Sequence, residues 1–106
     1  IVGTGDFNGD HKTDILWRHV TKGKNIVWFM DGAVKTGKKA LDTLPDPDWQ
    51  IVGTGDFNGD KKIDILWRNK TNGKNLVWFM DGTVKTGKQR LKKFPDTNWK
   101  IFNSGD

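Results

Sequence analysis

With 106 residues, no cysteine and a net charge of +5, the chain has the length of one ordinary domain and can form neither disulfides nor thiolate sites. No run of about 18 apolar residues and no signal-type stretch occurs, so no helix here inserts in a membrane, and an export signal, if the protein is secreted, lies outside this chain. All thirteen acidic residues are Asp, the short carboxylate of turns and tight oxygen cages and a poor helix former, which points to strands and loops.

Residues 1–50 are written again, with changes, as residues 51–100, with identity at about 35 of 50 aligned positions. Self-similarity at this period marks a solenoid or propeller array, in which one thin unit cannot bury its faces alone and needs neighbours. We divide the chain into a first repeat, 1–50, a second, 51–100, and the start of a third, 101–106, which duplicates the opening strand.

In chain order, short β-type runs alternate with turn residues every eight to twelve positions, the spacing of all-β architecture. Strands are predicted at 1–5, 14–18, 25–30 and 34–41, and again at 51–55, 64–68, 75–80 and 84–91. Tight turns are expected at Lys22-Gly23, Asp31-Gly32, Asn72-Gly73 and Asp81-Gly82. The middle strands, Ile15-Leu16-Trp17 and Ile26-Val27-Trp28-Phe29-Met30, are apolar on both faces, as in a sheet covered on both sides. Four short strands with buried inner members and a polar fourth describe a propeller blade, so the fold class is an all-β propeller with two four-stranded antiparallel blades per chain. Propellers have about four to eight blades, so the ring would be completed by homo-oligomerisation, with three or four chains favoured.

The tryptophans of the middle strands are expected to fill the blade interfaces. Trp49 and Trp99, in Pro-Asp-x-x-Trp turns, are candidates either for stacking on a sugar or for packing under a loop. Lysines cluster on the fourth strands, at Lys35, Lys38 and Lys39 and from Lys85 to Lys93. Lysine on an outer strand guards against edge-to-edge pairing, and no aromatic residues interleave the strip, which argues against nucleic acid as a partner. Arg18 and Arg68 each end a buried strand and are expected to pair with Asp rather than bind substrate.

The segment Asp6-Phe7-Asn8-Gly9-Asp10-His11-Lys12-Thr13-Asp14 carries side-chain oxygens at its first, third, fifth and ninth positions. Such spacing lets one short loop curl round a hard cation: Asp6, Asn8, Asp10 and Asp14 supply side-chain oxygens and Lys12 its carbonyl. Asp56, Asn58, Asp60, Lys62 and Asp64 repeat the set. An Asx-turn cluster without metal is the alternative, but three carboxylates crowded together repel one another in an empty loop, and oxygen-only ligands favour Ca²⁺ over Zn²⁺ or Mg²⁺. His11 is set aside as a ligand because Lys61 replaces it in the second copy.

Through Gly5-Asp6-Phe7-Asn8-Gly9-Asp10, followed by Asp14-Ile15-Leu16-Trp17-Arg18, and their counterparts from Gly55 to Arg68, the chain resembles the FG-GAP or VCBS-type calcium-binding repeats of integrin-like β-propellers. The resemblance implies a propeller whose loops hold Ca²⁺, on an extracellular or cell-surface protein that adheres or binds ligands. One departure stands out: where such repeats have Gly after the third oxygen-bearing residue, this chain has His11 and Lys61. Non-Gly residues in a left-handed conformation cost on the order of 1 kcal/mol, which weakens affinity without removing the site.

An enzyme is not expected, since the chain has no Cys or Tyr, a single Ser, and two His that the second copy lacks. Two functional classes remain. The first is a structural, adhesion-type calcium module, natural, excised or engineered, whose property is self-assembly. The second is a lectin-like propeller that binds glycan in recurrent inter-blade pockets, where weak sites gain avidity by repetition.

Overall fold

The computed structural model describes residues 2–92, 94, 96 and 99. Two four-stranded antiparallel sheets form, and no helix occurs among the described residues. The first sheet comprises β1 (Gly3–Gly5), β2 (Asp14–His19), β3 (Lys24–Asp31) and β4 (Val34–Ala40). The second comprises β5 (Trp49–Gly55), β6 (Asp64–Asn69), β7 (Asn75–Asp81) and β8 (Val84–Arg90). In each sheet the strands lie side by side in chain order, the meander of a propeller blade.

These bounds match the predicted strands to within one residue, except at the starts of β1 and β5. β1 is described only over Gly3–Gly5, and β5 begins at Trp49, earlier than expected, because Trp49 pairs with Asn69 and Gln50 with Arg68. Residue 1 and the predicted third-repeat start at 101–106 lie outside the described residues. All four expected turn glycines have positive φ, and at Gly23 space is as short as rotation is demanding: a Cβ there would stand 2.5 Å from the Leu44 carbonyl oxygen.

Period-two alternation assigns each side chain to one of two faces. Ile15, Trp17, Ile26 and Trp28 share one face of the first blade, since Ile15 pairs with Trp28 and Trp17 with Ile26. Leu16 and Val27, also paired, occupy the other. This Leu16 face packs against the second blade's counterpart of the Trp17 face, so that one core cluster joins Phe7, Leu16, Val27 and Leu41 to Ile65, Trp67, Leu76, Trp78 and Met80. At the seam the Arg18 guanidinium lies 4.8 Å from the Trp67 ring centroid, and Thr54 Oγ1 donates to the Thr4 carbonyl at 2.7 Å. Trp67 and Trp78 thus fill the interface, as expected, whereas Trp17 and Trp28 remain half-buried. The fourth strands are exposed along most of their length, and their lysines lie over indoles: Lys35 Nζ is 4.4 Å from the Trp28 ring and Lys85 Nζ 4.5 Å from that of Trp78.

The arginines differ from expectation. Arg18 donates to the Leu44 and Asp46 carbonyls at 2.8 and 3.2 Å and to Asn25 Oδ1 at 2.9 Å; Arg68 repeats this with Phe94, Asp96 and Asn75. Their hydrogen bonds run to main-chain carbonyls and an asparagine side chain, with the Asp46 charge acting on Arg18 without a bond of its own. A planar fork of donors suits this task, because the chain leaving each blade has carbonyls that no strand satisfies. Burial pushes the Arg18 guanidinium down, against the opposing charge of Asp46.

Candidate metal centre

Each loop between the first two strands of a blade wraps around its first aspartate. Asp6 Oδ1 accepts from the Gly9 and Asp10 amides at 2.8 and 3.2 Å, and Oδ2 from that of His11 at 2.8 Å. Asp56 repeats the pattern with Gly59, Asp60 and Lys61 at 2.8, 3.1 and 2.7 Å. Burial pushes Asp6 up, but the amides of His11, Gly9, Asp10 and Asn8 together outweigh it and hold the carboxyl below its ordinary value. For Asp56 the balance is the same, with Lys61, Gly59 and Asp60 as donors. The sharp bend falls where the sequence reading places it: His11 and Lys61 have φ of 65° and 67°, the left-handed region.

The last aspartate of each loop is tied to the core. Asp14 and Asp64 are fully buried. Asp14 Oδ2 accepts from the Phe7 amide at 3.1 Å and Oδ1 from the Met30 amide at 2.9 Å, and Asp64 does the same with Phe57 and Met80. One carboxylate therefore joins the loop's second residue to the third strand of the blade. Burial pushes the Asp64 carboxyl up, the two amides pull it down, and the charges of Asp60 and Asp56 add to the rise, which prevails.

The carboxylates of Asp6, Asp10 and Asp14 can bring ligand oxygens within 4.8 Å of one another, as can those of Asp56, Asp60 and Asp64. Asn8 and Asn58 sit in the same turns, where their Oδ1 atoms accept from the Asp10 and Asp60 amides at 3.4 and 3.3 Å. Asp10 and Asp60 each accept from the amide of the expected carbonyl ligand, Lys12 or Lys62, at 2.9 Å. Those lysines turn their ammonium groups away from the cage: Lys12 Nζ lies 3.5 Å from Asp31 and Lys62 Nζ 2.9 Å from Asp81. The side-chain donor set is all oxygen, and a buried Asp64 whose charge its neighbours oppose is a group that a divalent cation would relieve. The residues fit a hard cation.

Trp49 and Trp99 are placed differently from each other. Trp49 is half-buried in the wall of a cleft of about 400 Å³ between the connector and the second blade, with Leu44 and Asp46 of the connector and Asn72, Leu76, Lys88 and Arg90 of that blade in its lining. Trp99 is 58% exposed and stacks on Phe94, ring centroids 5.3 Å apart. Sequence reasoning missed two pieces of the site. One is Asp31 and Asp81, which hold the loop lysines. The other is Phe7 and Phe57, whose position directly after the first aspartate in both copies was the available signal.

Two blade-like sheets, each with an oxygen-lined loop between its first two strands, define a propeller-like module built of repeats. The sequence matches the FG-GAP-like repeat model over residues 6–67, more than half of the chain, and the protein belongs to that family. FG-GAP repeats are typically calcium-binding and extracellular. No curated protein and no solved structure gives a match.

Proposed function

We propose that the protein is a calcium-stabilised, two-blade propeller module that joins further copies of itself, three or four chains in all, in a closed ring, and that it serves as an extracellular structural or adhesion scaffold and not as a catalyst. The observation that carries the reading is the pair of matching cages, each wired through a buried aspartate to the third strand of its blade. In such a cage the ion would be held by Asp6, Asn8, Asp10, Asp14 and the Lys12 carbonyl, or by Asp56, Asn58, Asp60, Asp64 and the Lys62 carbonyl. The chemistry it supplies is charge neutralisation and a fixed loop shape. Stabilisation follows by mass action. Native mass spectrometry and thermal melts with and without calcium test the proposal: calcium should raise the melting temperature and add two ions per chain. A melting curve unchanged by excess chelator would refute the metal reading.

The cleft beside Trp49 favours a second reading, a lectin-like binder. Its lining includes the Trp49 indole, and Lys74, Lys88 and Arg90 give it a positive balance over Asp46. Those features suit an acidic sugar. Saturable binding of glucuronate that Trp49→Ala abolishes would support it.

A further inference from the structure

The two copies are chemically alike but not equally covered. Ile65, Trp67, Leu76 and Trp78 are buried, whereas Ile15, Trp17, Ile26 and Trp28, their counterparts on the first blade, are half-buried. The loop phenylalanines, and the leucines just after the fourth strands, show the opposite bias. Phe7 is 2% exposed and Phe57 40%; Leu41 is 6% exposed and Leu91 44%.

The loop asymmetry has a geometric cause. The first loop sits inside the seam between the blades: Asp6, Phe7 and Asn8 share a small recess with Lys61, Ile63 and Gly82 of the second blade. The Phe7 carbonyl oxygen lies 3.2 Å from where a Cβ on Gly82 would stand, while Gly32, the counterpart of Gly82, has nothing within 4 Å. The first blade thus carries a vacant version of the surface on which Phe7 rests, and the second blade carries Phe57 with little to rest on. A surface of one kind and its complement, left at opposite ends of a single chain, make a head-to-tail contact.

Resting on the calcium reading above, we infer that the loop 56–64 is a metal-gated docking element, which seats Phe57 on the Gly32 turn and the Trp17 face of a second copy, and that the two calcium sites therefore have different jobs. The occupant is a second copy because the chain's own seam already joins the counterparts of these two surfaces, with Thr13, His11 and Ile26 standing on the first blade where Ile63, Lys61 and Leu76 stand on the second. Gating follows from the wiring of Phe57. Its amide is held by Asp64, a candidate ligand, so the ion that fixes Asp64 and Asp60 also fixes the carriage of the phenyl ring. The site at 6–14 shapes a contact inside the chain, whereas the site at 56–64 shapes one between chains. Ordering a loop before it docks removes that cost from association.

Sedimentation velocity and native mass spectrometry of the full chain test this, in millimolar calcium chloride and in chelator. Wild-type protein should associate in calcium and fall to single chains in chelator. Asp60→Ala should remain single in calcium while binding one ion, and Asp10→Ala, also binding one ion, should still associate. Phe57→Ala should bind two ions yet associate more weakly, by about thirtyfold, as expected for loss of a central aromatic anchor. Ile26→Lys, which spoils the opposite face, should also bind two ions and stay single. Mixing Phe57→Ala with Ile26→Lys leaves one good donor and one good acceptor, and a capped pair of one chain each should form. Equal loss of association in Asp10→Ala and Asp60→Ala would overturn the division of labour. Calcium binding by the wild type without any change in mass would overturn the gating. Absence of calcium binding would remove the metal reading and the gating together, while failure of the mixed variants to pair would overturn the docking surface itself.

Discussion

At the scale of single residues, the loop carboxylates divide into those that only face a cation and those that also hold the chain together. Asp60 accepts one bond, from the Lys62 amide at the surface, and its loss in chelator should leave stability nearly unchanged. Asp64 is buried, with two amides depending on it, so Asp64→Ala strands buried donors and should cost about 2 kcal/mol or more even without metal. In thermal melts we expect Asp60→Ala to lose the calcium-induced rise alone, and Asp64→Ala to lose that rise and several degrees besides. Equal melting of the two in chelator would refute the distinction. The oxygen spacing made both residues legible in the sequence as ligands. Their difference was not legible, because the partner of Asp64 is Met80, sixteen residues on, and only the folded register brings that amide to it. The arginines were misread for a similar reason: nothing local in Arg68-Asn69 indicates that the donors reach carbonyls at Phe94 and Asp96.

At the scale of strands and faces, the chain was largely readable. Continuous apolar runs such as Ile15-Leu16-Trp17 require a sheet covered on both sides, and the turn glycines mark where each run must end. What two near-identical copies conceal is which face meets which, since every residue of the seam has a twin outside it. The energetic signature of that inequality is measurable. In urea unfolding of the single chain, Trp67→Ala, which empties a fully buried site, should cost about 3–5 kcal/mol, and Trp17→Ala, from the half-buried face, less than half as much. Similar losses for the two would mean that the Trp17 face is as well covered as its twin.

At the scale of the whole molecule, the proposed ring poses a problem of closure: two-blade chains complete it only if their ends meet, through further copies, after a whole number of steps. Three or four chains per particle are expected by native mass spectrometry in calcium, and a monodisperse single chain at micromolar concentration would refute closure. The step size is set by what connects one blade to the next. Arg18 anchors the departing chain at Leu44 and Asp46, and Gly23 lets that same segment lie against the β2–β3 turn, its amide bonds running from Gly23 to His19 and from Leu44 to Gly23. A methyl group at Gly23 would meet the Leu44 carbonyl and the Pro45 Cα at 2.5 Å, so Gly23→Ala must push the connector outward. If the proposed ring forms, a single added carbon in each connector would act as a shim on every segment of the wheel, and the count of segments that completes a full turn is the quantity it would change.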